Sequence, residues 1–134
     1  MNDHDATIVA RHLIGFLETG DPPAGLFADD VFCDFTPPLW RLQAQGPSPV
    51  VELRRRGHPG PSTVASWRCD PTPTGFVLEV EERWVQDDKP WYCRELIRAD
   101  VDGTTITALS VYCTGDWSAE RVAQHGRDVR LLRP

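Results

Sequence analysis

The longest regular pattern of apolar and polar positions lies in residues 76–114, where side chains alternate with the period of two that puts successive residues on opposite faces of a strand. The alternation predicts three consecutive antiparallel strands over 76–85, 91–101 and 104–114. Gln86-Asp87-Asp88-Lys89-Pro90 separates the first two, and Asp102-Gly103, a dipeptide favoured in type I′ hairpin turns, separates the second and third. Centring the first turn on Asp87-Asp88 sets Trp84 opposite Trp91, Glu82 opposite Cys93, Glu81 opposite Arg94, Val80 opposite Glu95 and Leu78 opposite Ile97. Centring the second on Asp102-Gly103 sets Ala99 opposite Ile106, Ile97 opposite Ala108, Glu95 opposite Ser110 and Cys93 opposite Tyr112.

These registers collect Phe76, Leu78, Val80, Glu82, Trp84, Trp91, Cys93, Glu95, Ile97, Ala99, Ile106, Ala108, Ser110, Tyr112 and Thr114 on one face, too apolar to leave in water. Two carboxylates sit on it as diagonal neighbours, Glu82 and Glu95, roughly 7–8 Å apart on such a ladder. The opposite face carries Glu79, Glu81, Arg83, Arg94 and Arg98, with an apolar band of Tyr92, Leu96, Leu109, Val111 and Cys113 that would suit a partner.

Upstream the period changes. Val9, Leu13, Phe16 and Leu17 recur at helical spacing, so a helix is expected over 6–19, capped by Asp5 and ended by Gly20. Asp21-Pro22 predicts a short second helix over 22–28, and 30–36 reads as a strand. Pro37-Pro38 ends it, and 39–47, with Trp40, is an irregular connection and a lid candidate. A third helix is expected from Ser48-Pro49 to Arg56, a strand over 63–70 with either Trp67 and Cys69 or Ser66 and Arg68 inward, and a last helix capped by Asp116 or Ser118 and ending near Gly126.

Composition narrows the function classes. At 134 residues one domain is expected, able to bury a core without disulfides or metals. A net charge of −6 argues against nucleic acid, with Arg54-Arg55-Arg56 the one basic run; its simplest reading is a solvated helix face, anion binding the other. The N-terminus lacks the basic-then-apolar pattern of a secretory leader and no apolar run approaches membrane-spanning length, so a cytoplasmic protein without membrane attachment is expected. Cys33, Cys69, Cys93 and Cys113 stand singly, without C-x-x-C spacing, and read as buried free thiols. No phosphate loop, nucleophile elbow or zinc motif is present, so no cofactor and no metal are expected.

Helices, a strand, a further helix and then long antiparallel strands resemble the nuclear transport factor 2-like superfamily in order. The local carriers are Leu26-Phe27-Ala28-Asp29-Asp30-Val31, Asp102-Gly103-Thr104-Thr105-Ile106 and Val111-Tyr112-Cys113-Thr114-Gly115-Asp116-Trp117. The resemblance covers nearly the whole chain and implies an α+β cone: a strongly curved mixed or antiparallel sheet wrapped around the N-terminal helices, with a pocket inside and an outer face that often forms a homodimer. The superfamily includes SnoaL-like polyketide cyclases, ketosteroid isomerases, epoxide hydrolases and dehydratases, and also non-catalytic binding and association domains. A Tyr-x-Asp often seen near the end of the last strand is here Tyr112-Cys113-Thr114, which removes one acid; Asp116, two residues on, could lie at the pocket rim or cap a helix.

Two glutamates on an apolar face would repel, so one would hold its proton and the other act as a base, a division suited to isomerisation, dehydration or cyclisation. Each could instead be held by Arg68, Tyr112, Ser110 or a backbone amide and serve only the fold. Tyr112 and Ser110 could polarise the substrate, Tyr112 alternatively being a satisfied core residue. Trp84 and Trp91 could line a ring or simply pack on each other, and Trp40 could close over them. The resemblance adds Asp34 as a pocket acid, which could equally cap the Thr36-Pro37-Pro38 turn. His58, before Pro59, reads as a turn residue rather than a general base. The reading is therefore a cofactor-independent acid–base enzyme with Glu82, Glu95, Tyr112 and Asp34 as catalytic candidates. Trp84, Trp91, Cys93, Ser110, Trp40 and Arg68 would bind an apolar oxygenated small molecule. The alternative is a non-catalytic small-molecule-binding or dimeric association module.

Overall fold

A computed structural model describes residues 1–134. Helix α1 (Asp3–Thr19) begins earlier than expected because Asn2, not Asp5, is its cap: the Asn2 side-chain oxygen accepts from the Asp5 amide at 2.9 Å. Gly20, at φ 77°, ends it as foreseen, donating its N–H to the Phe16 carbonyl. The expected helix over 22–28 does not form. Seven residues cannot offset helix nucleation, and Leu26 and Phe27 bury themselves by another route. The Leu26 carbonyl accepts from the Ile106 amide at 2.7 Å, and strand β1 (Phe27–Thr36) starts there.

The supposed lid contains an edge strand. β2 (Leu42–Gln45) pairs antiparallel with β1, and α2 (Pro47–Gly57) follows immediately, with Trp40 left exposed in the turn. β3 (Thr63–Thr72), β4 (Gly75–Gln86), β5 (Lys89–Asp102) and β6 (Thr105–Cys113) complete a sheet of order β2-β1-β6-β5-β4-β3, mixed because β1 and β6 run parallel. Irregular registers in the β1–β6, β3–β4 and β5–β6 pairs bend it. α1 packs against β3 and β4 and α2 against β1 and β2, so the sheet curls round both helices without closing. This is the expected α+β cone. α3 (Ala119–Asp128), capped by Ser118, lies outside the core. No helix is long and apolar enough to cross a membrane.

The first hairpin has the expected register throughout, Glu82 opposite Cys93 and Val80 opposite Glu95, with Asp87 and Asp88 both at positive φ as a type I′ turn requires. The second hairpin differs twice. Its turn is Gly103-Thr104, with Asp102 opposite Thr105, and one residue later Thr107 bulges out, so that Val101 pairs with Ile106 but Asp100 with Ala108. One extra residue reverses the facing of everything beyond it. Leu109, Val111 and Cys113 therefore turn inward, opposite Ala99, Ile97 and Glu95, and leave the outer apolar band. Ser110 and Tyr112 turn outward, and Tyr112 is 59% exposed beside Leu96. On β3 a second bulge puts Trp67 and Cys69 on the inner side and Ser66 and Arg68 outside.

β4 and β5 approach too closely for a side chain at Gly75: a Cβ there would lie 2.0 Å from the Ala99 carbonyl oxygen. Gly75→Ala is expected to lower stability by roughly 3 kcal/mol, as overpacking against backbone does; an unchanged urea midpoint would contradict this close approach.

Candidate functional site

Helices α1 and α2 and the inner face of the sheet enclose a cavity of about 60 Å³. Its wall is apolar, from Leu13, Phe16 and Leu17 on α1 to Ile97, Leu109 and Val111 on the sheet, except where Arg54, His58 and Glu95 face it. The arginine run on α2 is divided by helix geometry. Val50, Leu53, Arg54 and Gly57, spaced i, i+3, i+4 and i+7, turn toward the cavity. Arg55 reaches Asp21 and the Gly20 carbonyl, and Arg56 bonds Glu52, so only those two form the solvated face expected of all three.

Arg54 is the hub of the site. One guanidinium nitrogen donates to the Leu17 carbonyl at 2.6 Å and to Glu82 Oε1; the other donates to Glu82 Oε2 at 3.0 Å and reaches Glu95 Oε1 at 3.5 Å. Ser62 Oγ donates to the same Glu82 oxygen at 2.8 Å. Glu82 is thus fully enclosed, with both oxygens held. Glu95 is also buried, lines the cavity, and of the arginine has only the longer contact. The Cys93 thiol lies between them, 3.9 Å from Glu82 and 3.8 Å from Glu95.

This asymmetry separates the two carboxyls. Burial pushes Glu82 up, but hydrogen bonds from Glu95 and Arg54, the arginine's charge and Ser62 outweigh it and lower its pKa to about 2. Burial, and then the charge and hydrogen bond of Glu82, raise Glu95 well above the carboxylate range. The pair's titration thus favours ionisation of Glu82 and protonation of Glu95. Burial, followed by the charge of Arg54, lowers His58, leaving a neutral imidazole. Its Nε2 is 3.6 Å from Asp116 Oδ1, and its ring meets the edge of Trp84 at 4.7 Å.

Of the residues singled out from sequence, Glu82, Glu95 and Cys93 converge. Trp84 and Trp91 stack at 6.3 Å, with Trp84 touching the site through His58. The others are elsewhere. The Thr107 bulge carries Tyr112 and Ser110 to the outer face, so neither can polarise a substrate in the cavity. Arg68 is on the outer face beside Asp70, and Trp40 is solvent-exposed in its turn. Asp34 shares the outer face with Phe32 and is gripped by Arg41 at 3.0 and 2.6 Å, whose hydrogen bonds lower its pKa. Sequence reading assigns Arg54 to a solvated run and His58 to a turn and does not single out Ser62, yet all three are site residues. The helical spacing of Arg54 with Val50, Leu53 and Gly57 was the available signal for the first; nothing local marks the other two.

No protein-family model and no curated protein matches the sequence. Solved structures do match. A nuclear transport factor 2-like protein from Anabaena variabilis is 20% identical over 87% of this chain and 95% of its own, with a TM-score of 0.68. A provisionally assigned polyketide cyclase from Xanthomonas campestris is 15% identical over 84% and 92%, with a TM-score of 0.66. A provisionally assigned ketosteroid isomerase from Kribbella flavida is 16% identical over 85% and 81%, with a TM-score of 0.59. The chain has the nuclear transport factor 2-like fold.

Replacing Arg54 by methionine strands the Glu82 charge in the core and is expected to cost about 3–5 kcal/mol. The same change in a Glu82→Gln background should cost clearly less; additive losses in this double-mutant cycle would show that the pair is not coupled. Because Glu82 titrates near 2 when folded, against an ordinary 4.5, its ionised form adds stability that is complete above 4.5 and lost as pH falls through about 2. Glu82→Gln should therefore flatten the fall of stability across that window, measured by denaturation at successive pH values; an unchanged slope would contradict the assignment.

Proposed function

We propose that this chain is a general acid–base enzyme of the isomerase, cyclase or dehydratase kind, in the SnoaL-like branch of its fold, acting on a compact, apolar, oxygenated small molecule. Glu95 is the group that exchanges a proton with the substrate. The observation that supports this most is geometric: Glu95 is the one carboxyl that faces the apolar cavity, while Glu82 behind it is locked to Arg54 and Ser62. Glu82 is thus a positioning residue rather than an equal partner in proton shuttling. It orients Arg54 and Glu95, and a water-poor wall strengthens any hydrogen bond Glu95 makes to a substrate oxygen.

Cavity size sharpens the substrate class. About 60 Å³ is far below the roughly 300–1,000 Å³ of pockets that enclose drug-sized ligands. A single small ring or short chain suits it better than a fused polycycle. The isomerase and cyclase assignments of the structural neighbours support the reaction class without identifying the substrate.

The test uses small neutral cyclic ketones and enones in heavy water, with deuterium entry at the carbon beside the carbonyl followed by NMR. The protein should accelerate exchange for at least one probe, and Glu95→Gln should remove that acceleration by about a hundredfold or more, with the probe still bound. Exchange no faster than in buffer for every probe, or Glu95→Gln at the wild-type rate, would overturn the reading in favour of a binding module.

A further inference from the structure

A second cluster of chemically capable side chains lies at the end of β6, where Cys113 and Asp116 stand outside the cavity wall and meet the buried Cys93 and the cavity-lining His58. The donor atoms of Cys93, Cys113 and Asp116 lie within 4.8 Å of one another; His58 is within 4.8 Å of Cys93 but stands outside that three-residue group, so it reaches a common ion only by a side-chain movement. His58 Nε2 is in turn 3.6 Å from Asp116 Oδ1. The four residues come from β5, the end of β6, the turn after it and the C-terminal cap of α2, which is why no linear metal motif announces them.

The turn that supplies two of the donors is built with unusual restraint. Gly115 stands at φ 82°, where a Cβ would also lie 2.9 Å from Pro38, and this conformation swings its N–H onto Cys113 Sγ at 3.3 Å. A backbone N–H aimed at a cysteine sulfur favours the thiolate and orients it, as groups around metal-bound cysteines do. Thr114 pins the turn to β5: its amide donates to the Arg94 carbonyl and its hydroxyl accepts from the Arg94 amide, both at 3.0 Å. Asp116 is brought back to the same side and is not needed as a helix cap, because Ser118 caps α3.

Two other occupations of this cluster are disfavoured. Cys113 lies opposite Glu95, so Cys93 and Cys113 are diagonal across the ladder. Diagonal Cα atoms are roughly 7–8 Å apart, at or past the limit of about 7 Å for a disulfide. A cation between Glu82, Glu95 and His58 would have to sit against the Arg54 guanidinium, which already holds both Glu82 oxygens. An ion on the cysteine side avoids that repulsion. With zinc–sulfur bonds near 2.3 Å and zinc–nitrogen or zinc–oxygen bonds near 2.0–2.1 Å, a tetrahedral site separates its sulfurs by about 3.8 Å and its nitrogen and oxygen by about 3.4 Å. The His58 to Asp116 distance already matches the second figure.

We propose that Cys93, Cys113 and Asp116, with His58 as fourth donor, form a tetrahedral site for one zinc-class divalent ion that ties the end of β6 to β5 and the end of α2. Two thiolates, an imidazole and a carboxylate are the donor set that selects zinc over magnesium or calcium. Binding displaces one proton from each thiol to solvent and involves no change of oxidation state. The ion staples the end of α2 to the β5–β6 ladder. This proposal does not depend on the acid–base reading.

The experiment is a titration of the full-length protein, stripped of metal with a chelator and kept reduced with a phosphine, with cobalt(II) as the coloured stand-in for zinc. One equivalent per chain should give thiolate-to-cobalt charge transfer and the intense visible bands of four-coordinate cobalt, both lost when zinc is added, and zinc should raise the melting temperature. Cys113→Ser and Asp116→Asn lie at the accessible side of the cluster and should fold, as their melting without metal will show. Each should weaken cobalt binding by about tenfold or more, and Cys113→Ser should lose about half the charge-transfer intensity, since it leaves one of two sulfur ligands. Cys69→Ser, on β3, should bind as the wild type does. Absence of charge transfer in the wild type, retention of full intensity in Cys113→Ser, or loss of it in Cys69→Ser would each overturn the site.

Discussion

A single buried guanidinium organises this protein. Arg54 is placed inside by one turn of α2, and its two terminal guanidinium nitrogens make four hydrogen bonds, to the end of α1, to Glu82 of β4 and to Glu95 of β5. Burying a cation is costly unless every donor finds an acceptor, so the two glutamates and the Leu17 carbonyl form one unit with it. That unit joins both helices to the sheet around the apolar core. It also makes the two carboxyls unequal: two strong arginine bonds hold Glu82, and Glu95 is left with the proton and the view of the cavity.

A backbone feature determines what surrounds that unit. Thr107, bulged from β6, reverses the last two thirds of the strand. Leu109 and Val111 then complete the cavity wall and Cys113 comes within reach of Cys93, while the hydroxyls of Ser110 and Tyr112 leave for the outer face. The apolar character of the cavity follows from that one extra residue. Without it a tyrosine and a serine would stand opposite the glutamates and the site would be a polar one.

The helix and strand pattern was largely legible. The 3.6 period of α1, the alternation of β4 and β5 and the Asp87-Asp88 turn are local signals, and each is obeyed because the core rewards the same pattern. The failures were also local signals, overruled by distant partners. Asp21-Pro22 invites a helix, but Leu26 is claimed by Ile106, eighty residues away. The segment 39–47 follows the strand-breaking Pro37-Pro38 and still yields β2, because the edge of β1 offers unpaired backbone groups. Asp34, a pocket acid only by the family resemblance, is turned outward by the pleat of β1 and held by Arg41.

By itself the sequence determined that a curved antiparallel sheet would bury one face carrying Glu82, Cys93 and Glu95, because two-residue periodicity and a turn with both central residues at positive φ leave no freedom in that hairpin. Tertiary structure alone decided which charges meet them. Whether an arginine in a run of three is solvated or buried depends on the helix's rotation about its axis, which is set by packing against α1 and the sheet. Whether Tyr112 or Cys113 faces inward depends on a bulge stabilised only once β6 also pairs with β1. Both are choices among locally equivalent states, and the contacts that separate them join residues far apart in the chain.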